Sequence, residues 1–187
     1  MTMNLPNRIT LLRVILIPAF LVIFFAAPFH NVVNQWFALI LFVAAAVTDA
    51  FDGHYARKYN LVTNFGKLMD PLADKLLVCS VLVAFTSVGL VPAWAVILLI
   101  GREFYVSGLR QLALERSLVL AATKIAKFKT IAQITLIVYI LLPPPFDWFI
   151  FSIITWILII ATILLSIASA ADYTIKNIQI FTPPEKE

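Results

Sequence analysis

The sequence predicts an all-α membrane protein of six transmembrane helices with both termini on the cytoplasmic side. Three observations carry that fold class. The 187 residues are 62% hydrophobic and 13% charged, with a mean hydropathy of +0.98, far from the averages of a soluble domain. Six mostly apolar stretches, each near the roughly 20 residues needed to cross a bilayer, are separated by short polar or turn-forming breaks. With the amino terminus inside, all 14 lysines and arginines fall on the inward half, as positive residues should. The outward loops then hold only Asp147 as a formal charge, beside His30.

The first helix is placed at 9–28. Its apolar run after Arg13 reaches Pro28 without a small-residue cleavage site, so it reads as a span rather than a removable signal. The second helix is placed at 33–57 and the third at 66–88. The uncharged run from Leu76 to Ile100 could pass for one span, but Val88-Gly89-Leu90-Val91-Pro92 in its interior reads as a hairpin turn. Glycine and proline punctuate helices, and Pro92 suits the opening of the next one. The fourth helix is therefore placed at 92–114, the fifth at 124–142 and the sixth at 146–176. No repeat or linker marks a second domain, so residues 1–187 are expected to form one membrane domain, with TPPEKE as a disordered end.

The remaining composition is quickly read. Cys79 is the only cysteine, which excludes an intrachain disulfide and leaves it a small buried hydrophobe. Trp94, Trp148 and Trp156 anchor at the interface or face lipid. The net charge of +4 reads as orientation and attraction to anionic head groups, and no nucleic-acid partner is needed to explain it.

Against this apolar background, Thr48 to Lys75 concentrates four of the 10 acidic residues. At 1.5 Å per residue, Asp49 and Asp52 lie roughly 24 and 28 Å along the second helix, and Asp74 and Asp70 roughly 21 and 27 Å back from the turn at Val88. Both pairs reach the inner interface at similar depth. Asp49 and Asp52 are three residues apart and Asp70 and Asp74 four apart, so each pair shares a helix face. Gly53 and Ala56 beside the first pair would admit a close backbone or ligand. Arg57, two turns beyond Asp49, could meet a phosphate with its planar fork of donors.

Four carboxylates cannot share a partly desolvated site while ionised unless cations cancel the repulsion. An all-oxygen set suits magnesium, manganese or calcium and argues against zinc or copper, since His30 is on the other side and Cys79 is about one turn too deep. Two such ions bridged by shared carboxylates would make a clamp for phosphoryl transfer. The competing reading, ordinary interfacial acids paired with Arg57, Lys58, Lys67 and Lys75, suits one aspartate better than two facing pairs.

Asp49-x-x-Asp52-Gly53-x-x-Ala56-Arg57, then eight residues, then Gly66-x-x-x-Asp70-x-x-x-Asp74, resembles the signature of the CDP-alcohol phosphatidyltransferases at every fixed position. The opening TDAFDG stands where relatives often read SDFLDG. Three further segments, NLPNRITLLRVILIP, GREFYVSGLRQLAL and KIAKFKTIAQ, resemble the branch of that family whose acceptor is glycerol 3-phosphate. Ala126 replaces a glycine common in that branch and leaves Lys127 and Lys129 in place.

The resemblance implies a six-helix membrane fold, a homodimer, and a reaction at the cytoplasmic face of the inner membrane. The hydroxyl of glycerol 3-phosphate would attack the phosphorus of CDP-diacylglycerol, and CMP would leave. Asp49, Asp52, Asp70 and Asp74 would bind two Mg2+ or Mn2+ ions, with Asp74 also the general base. Gly53, Ala56, Arg57 and Gly66 would hold the cytidine diphosphate. A phosphorylated acceptor needs further cations, for which Arg110, Lys127 and Lys129 are the first candidates and Thr10, Arg13 and Arg102 the second. Arg102 lies roughly 15 Å into the fourth helix, where an unpaired charge is costly. Because neighbours in sequence do not face each other on a helix, its partner is expected on another helix rather than at Glu103.

Rival readings remain at this point. Serine, inositol phosphate or phosphatidylglycerol would be the acceptor in other members of the same family. A divalent-cation transporter would also use intramembrane acids, but it lacks a polar path inward from Asp147. A structural scaffold leaves the acid cluster unexplained.

Overall fold

The computed structural model describes residues 5–26, 32–58, 64–115, 124–144 and 147–178; within these helices, the side chains at 5–10, 49–58, 64–71, 74, 114, 115 and 124 lie outside the description. The described residues form six helices: α1 (Leu5–Ala26), α2 (Val32–Lys58), α3 (Asn64–Ser87), α4 (Ala93–Glu115), α5 (Lys124–Leu141) and α6 (Trp148–Lys176).

The turn after α3 shows how local chemistry ends one helix and starts another. Gly89 sits at φ 77, a left-handed conformation that costs a residue without Cβ little. The Gly89 amide donates to the Thr86 carbonyl at 3.1 Å and the Leu90 amide to that of Phe85 at 3.0 Å. Together these two bonds form the glycine-closed helix end that satisfies carbonyls left over by the last turn. Pro92 then opens α4, its carbonyl accepting from the amides of Ala95 and Val96 at 3.0 and 3.3 Å. The run from Leu76 to Ile100 is therefore two helices.

The chain divides into two compact units, residues 1–90 with 138–145 and residues 91–137 with 146–187. In the first, α1 packs against both α2 and α3, and α2 also touches α3. Phe24 links the elements: its ring lies 5.7 Å from Phe20 one turn earlier and 5.7 Å from Phe85 of α3. Small residues buried on the facing helices, Ala38 and Ala45 on α2 and Ala73 and Ala84 on α3, let the backbones approach, the usual contact in lipid where dispersion and packing hold helices together.

In the second unit α4 packs on α6. Arg102 meets Ser169, while Tyr105 and Arg110 farther along α4 meet Thr174 and Tyr173. The two helices therefore run in the same direction. Val106 and Leu109 pack around Tyr173 and Ala170. The buried face of α6 carries Thr155, Thr162, Ser166 and Ser169; Thr155 and Thr162 donate to the carbonyls of Phe151 and Leu158, four residues back, a bond that satisfies a hydroxyl in apolar surroundings.

Outward faces are apolar as well. Val22, Ile97 and Phe149 are each about 70% exposed, and such residues recur on every helix whose side chains are described, an arrangement suited to hydrocarbon rather than water. Among the described residues α6 is the helix long and apolar enough to cross a membrane unaided, while Leu11–Ala26, Val32–Thr48 and Lys75–Ser87 are shorter apolar stretches. The shortfall in α2 and α3 lies where charge enters: Asp49, Asp52, Arg57 and Lys58 end the one, and Lys67, Asp70, Asp74 and Lys75 begin the other.

Candidate active site

Asp49 and Asp52 fall within the last three turns of α2, and Asp70 and Asp74 within the first three of α3. Both helices are continuous there, so the spacing of three and of four places each pair on a single helical face. Only residues 59–63 join the two helices, a link that spans at most roughly 20 Å. The acid-bearing ends of α2 and α3 are thus kept at one end of the first unit. The side chains of these aspartates, and those of Gly53, Ala56, Arg57, Gly66 and Thr10, lie outside the described residues. The donor set itself, two carboxylates on each of two linked helix ends, fits hard divalent cations. Arg13, on α1 of the same unit, is fully buried at 1% exposure.

The second unit holds a different arrangement, a line of polar side chains across three helices. Glu103 of α4 divides its carboxylate between two cations. Its Oε2 lies 3.3 Å from Arg102 NH1, and its Oε1 meets Lys129 Nζ of α5. Arg102 in turn donates from NH2 to Ser169 Oγ of α6 at 2.6 Å. All three charged side chains are largely buried, with 10%, 18% and 4% exposure for Arg102, Glu103 and Lys129.

This corrects the expectation for Arg102. Its partner on another helix exists, Ser169, but Glu103 is its ion-pair partner as well. Adjacent residues diverge by about 100° around a helix, yet two long side chains can close that gap when their far ends are held. Here Ser169 holds one and Lys129 the other. Lys129 is itself buried and paired.

Below this line, Arg110 donates from Nε to the hydroxyl of Tyr173 at 3.3 Å, with its guanidinium carbon 5.7 Å from the centre of the same ring. Tyr173 is 1% exposed and Arg110 is exposed, so a buried ring supports an exposed cation. Tyr105 donates to Thr174 Oγ1 at 2.9 Å, because the Thr174 proton is already given to the Ala170 carbonyl. Lys127 is exposed, two residues from Lys129 and hence on another face of α5. Arg102, Lys129 and Glu103 are brought together; Lys127 is not part of that line.

Glu103, Ser169 and Tyr173 are the members that sequence reasoning passed over. One signal could have found the last two: Ser166, Ser169 and Tyr173 recur at three- and four-residue steps on an otherwise apolar helix, the spacing of one face.

Arg102 Nε is buried with no hydrogen-bond partner among the described residues. A buried guanidinium N–H left without an acceptor is what a further acceptor group would complete.

The model of the CDP-alcohol phosphatidyltransferase family matches residues 3–168. Among curated proteins, the chain is 44% identical over 185 residues to the CDP-diacylglycerol–glycerol-3-phosphate 3-phosphatidyltransferase of Bacillus subtilis (strain 168), covering 93% of this chain and 95% of that protein. It is 42% identical to the protein of the same name in Rickettsia typhi, over 70% of this chain and 71% of that one. The Cereibacter sphaeroides protein of that name is 40% identical over 76% of this chain and 65% of its own length.

Proposed function

The chain belongs to the CDP-alcohol phosphatidyltransferase family, and from that premise we propose how its residues divide the transfer of a phosphatidyl group from CDP-diacylglycerol to glycerol 3-phosphate. The enzyme is a phosphotransferase of phospholipid synthesis. Its acceptor hydroxyl forms the new P–O bond as the bond to CMP breaks, giving phosphatidylglycerol phosphate and CMP. The observation that carries this reading is the 44% identity along nearly the whole of both chains. The family match runs through both compact units, which supports treating residues 1–187 as one catalytic domain.

In the proposed division of labour, Asp49, Asp52, Asp70 and Asp74 hold two divalent cations, Mg2+ or Mn2+. When bound, such ions neutralise the diphosphate and stabilise the departing CMP. Asp74 takes the proton of the attacking hydroxyl, a role that requires it to reach that oxygen. Gly53, Ala56 and Gly66 leave room for the cytidine diphosphate, and Arg57 meets its phosphates. Arg110, Lys127 and Lys129 receive the acceptor phosphate, with Arg102 behind Lys129 and Thr10 and Arg13 as further contributors. Supporting a phosphorylated acceptor is the buried Nε of Arg102, which has no hydrogen-bond partner among the described residues. Serine or phosphatidylglycerol would give that donor less to bind, and inositol phosphate is disfavoured by the names of the relatives.

All six helices cross the inner membrane in this reading, with both termini and the site at the cytoplasmic face and two copies of the chain forming a dimer. The charge asymmetry and the parallel course of α4 and α6 support that topology. A substrate with acyl chains in lipid and a nucleotide in water must react at such an interface. The test is to supply purified enzyme with CDP-diacylglycerol, magnesium or manganese, and glycerol 3-phosphate labelled in the glycerol. Label should enter a lipid carrying two phosphates, and chelating the metal should stop it. Label that stays in water while CMP accumulates would contradict the assignment.

A further inference from the structure

We propose that Arg102 Nε and Ser166 Oγ form a buried site for a single oxygen atom between α4 and α6, which makes Ser166 a further ligand-binding residue. The oxygen is that of a water or one of the phosphate oxygens of glycerol 3-phosphate, a single hydrogen-bonding chemistry with two sources. Only the second source rests on the reading of Arg102 as part of the acceptor's surroundings. Three observations carry the site.

Both side chains are enclosed, and each keeps an unused polar atom. The Arg102 side chain is 10% exposed and Ser166 is 2% exposed, while Arg102 Nε and Ser166 Oγ have no hydrogen-bond partner among the described residues. Leaving such atoms unmet away from water is costly. Next, Ser166 does not make the bond that its neighbours on the same face make. Thr155 and Thr162 give their protons to carbonyls four residues back, and the Thr162 carbonyl stands in that relation to Ser166. The Ser166 hydroxyl leaves it unused, and so is available to a group outside its own helix.

Third, the register of the two helices brings both residues to one level. α4 and α6 run in the same direction, and their side-chain bonds join residues 67, 69 and 63 apart in sequence, so Arg102 stands level with the turns of α6 that carry Ser166 and Ser169. Arg102 already gives NH2 to Ser169 at 2.6 Å and NH1 to Glu103 at 3.3 Å. Its Nε remains, and Ser166, three residues from Ser169, is the next hydroxyl along the same face. A guanidinium N–H can only donate, whereas a hydroxyl donates or accepts. One oxygen can therefore accept from both, and a water can instead return a proton to Ser166. Enclosed polar atoms of this kind are where buried waters and bound oxyanions sit.

The first measurement is thermal unfolding of the full chain in detergent. Ser166→Ala should lower the unfolding temperature by about 3 °C or more. In an Arg102→Lys background, which keeps the charge but removes Nε, the same substitution should cost less than half as much, because the two residues share one contact. Equal shifts in both backgrounds overturn the proposal. The second measurement identifies the oxygen, by nuclear magnetic resonance of enzyme labelled with 15N at arginine in lipid nanodiscs, where the Arg102 Nε–H signal is the one lost in Arg102→Lys. Magnetisation transfer from water to that proton, persisting when glycerol 3-phosphate is added, names water as the occupant. A shift of the signal that saturates with glycerol 3-phosphate and replaces the transfer names a phosphate oxygen. Either response should vanish in Ser166→Val, which puts methyl groups where the hydroxyl was; neither response in wild type overturns the proposal. If Arg102→Lys does not yield folded enzyme, a structure of the wild type that resolves ordered solvent decides. An oxygen within about 3.2 Å of both atoms supports the site, and a direct Arg102–Ser166 contact or a halide ion between them overturns it.

Discussion

Replacing Tyr173 by phenylalanine removes a single oxygen from the fully buried face of α6, and that oxygen is the acceptor for Arg110 Nε. At 3.3 Å the bond is long for an N–H···O pair, and Arg110 is exposed to competing water, so its loss is worth about 1 kcal/mol. The ring stays, and with it the contact of the guanidinium at 5.7 Å. If Arg110 binds the acceptor phosphate in the orientation that Tyr173 enforces, Tyr173→Phe should raise KM for glycerol 3-phosphate about fivefold, since about 1.4 kcal/mol is tenfold. Tyr173→Leu removes the ring too. A cation over an aromatic face at such a site adds about 0.5–1 kcal/mol, so the leucine variant should stand about 12- to 27-fold above wild type. The assay is CMP release at saturating CDP-diacylglycerol and varied glycerol 3-phosphate. Identical KM values in wild type and both variants would refute the reasoning, and a lowered value would mean that Tyr173 restrains Arg110 from the phosphate rather than presenting it.

Two further outcomes bear on the other parts of the protein. Asp74→Asn keeps the size of the side chain but removes its charge and basicity, and should lower kcat by at least about 100-fold, the contribution of a positioned general base; near-normal turnover would remove Asp74 from that role. Phe85→Ala empties a fully buried position between α3 and α1, against Phe24. Because the surroundings are lipid and transfer from water is not at stake, the cost should fall near the low end for such truncations, about 3 kcal/mol, seen as a lowered unfolding temperature in detergent.

How much of this was legible in the sequence depends on whether the signal was local. The turn at Gly89 and Pro92 was, because glycine in a left-handed cap and proline at a helix start act through their own backbones. The aspartate pairs were legible as helix positions for the same reason: spacing along one helix is a one-dimensional property. The line Lys129–Glu103–Arg102–Ser169 was not. It depends on which faces of α4, α5 and α6 meet, and each residue taken alone has an ordinary explanation. The rule that neighbours in sequence diverge around a helix directed attention away from Glu103, and it failed because Ser169 and Lys129 hold the ends of both side chains. Tyr173 was hidden among the many aromatic residues (Trp 4, Tyr 5, Phe 15) that a membrane helix can place at an interface.

The central claim is that buried cations of α4 and α5 select a phosphorylated acceptor while the aspartates of α2 and α3 serve the nucleotide. Its most direct test is CMP release from CDP-diacylglycerol by purified enzyme offered, in separate reactions, glycerol 3-phosphate, inositol phosphate, serine and phosphatidylglycerol. The account predicts release with glycerol 3-phosphate well above the others. Release with serine or phosphatidylglycerol, and none with glycerol 3-phosphate, would contradict it.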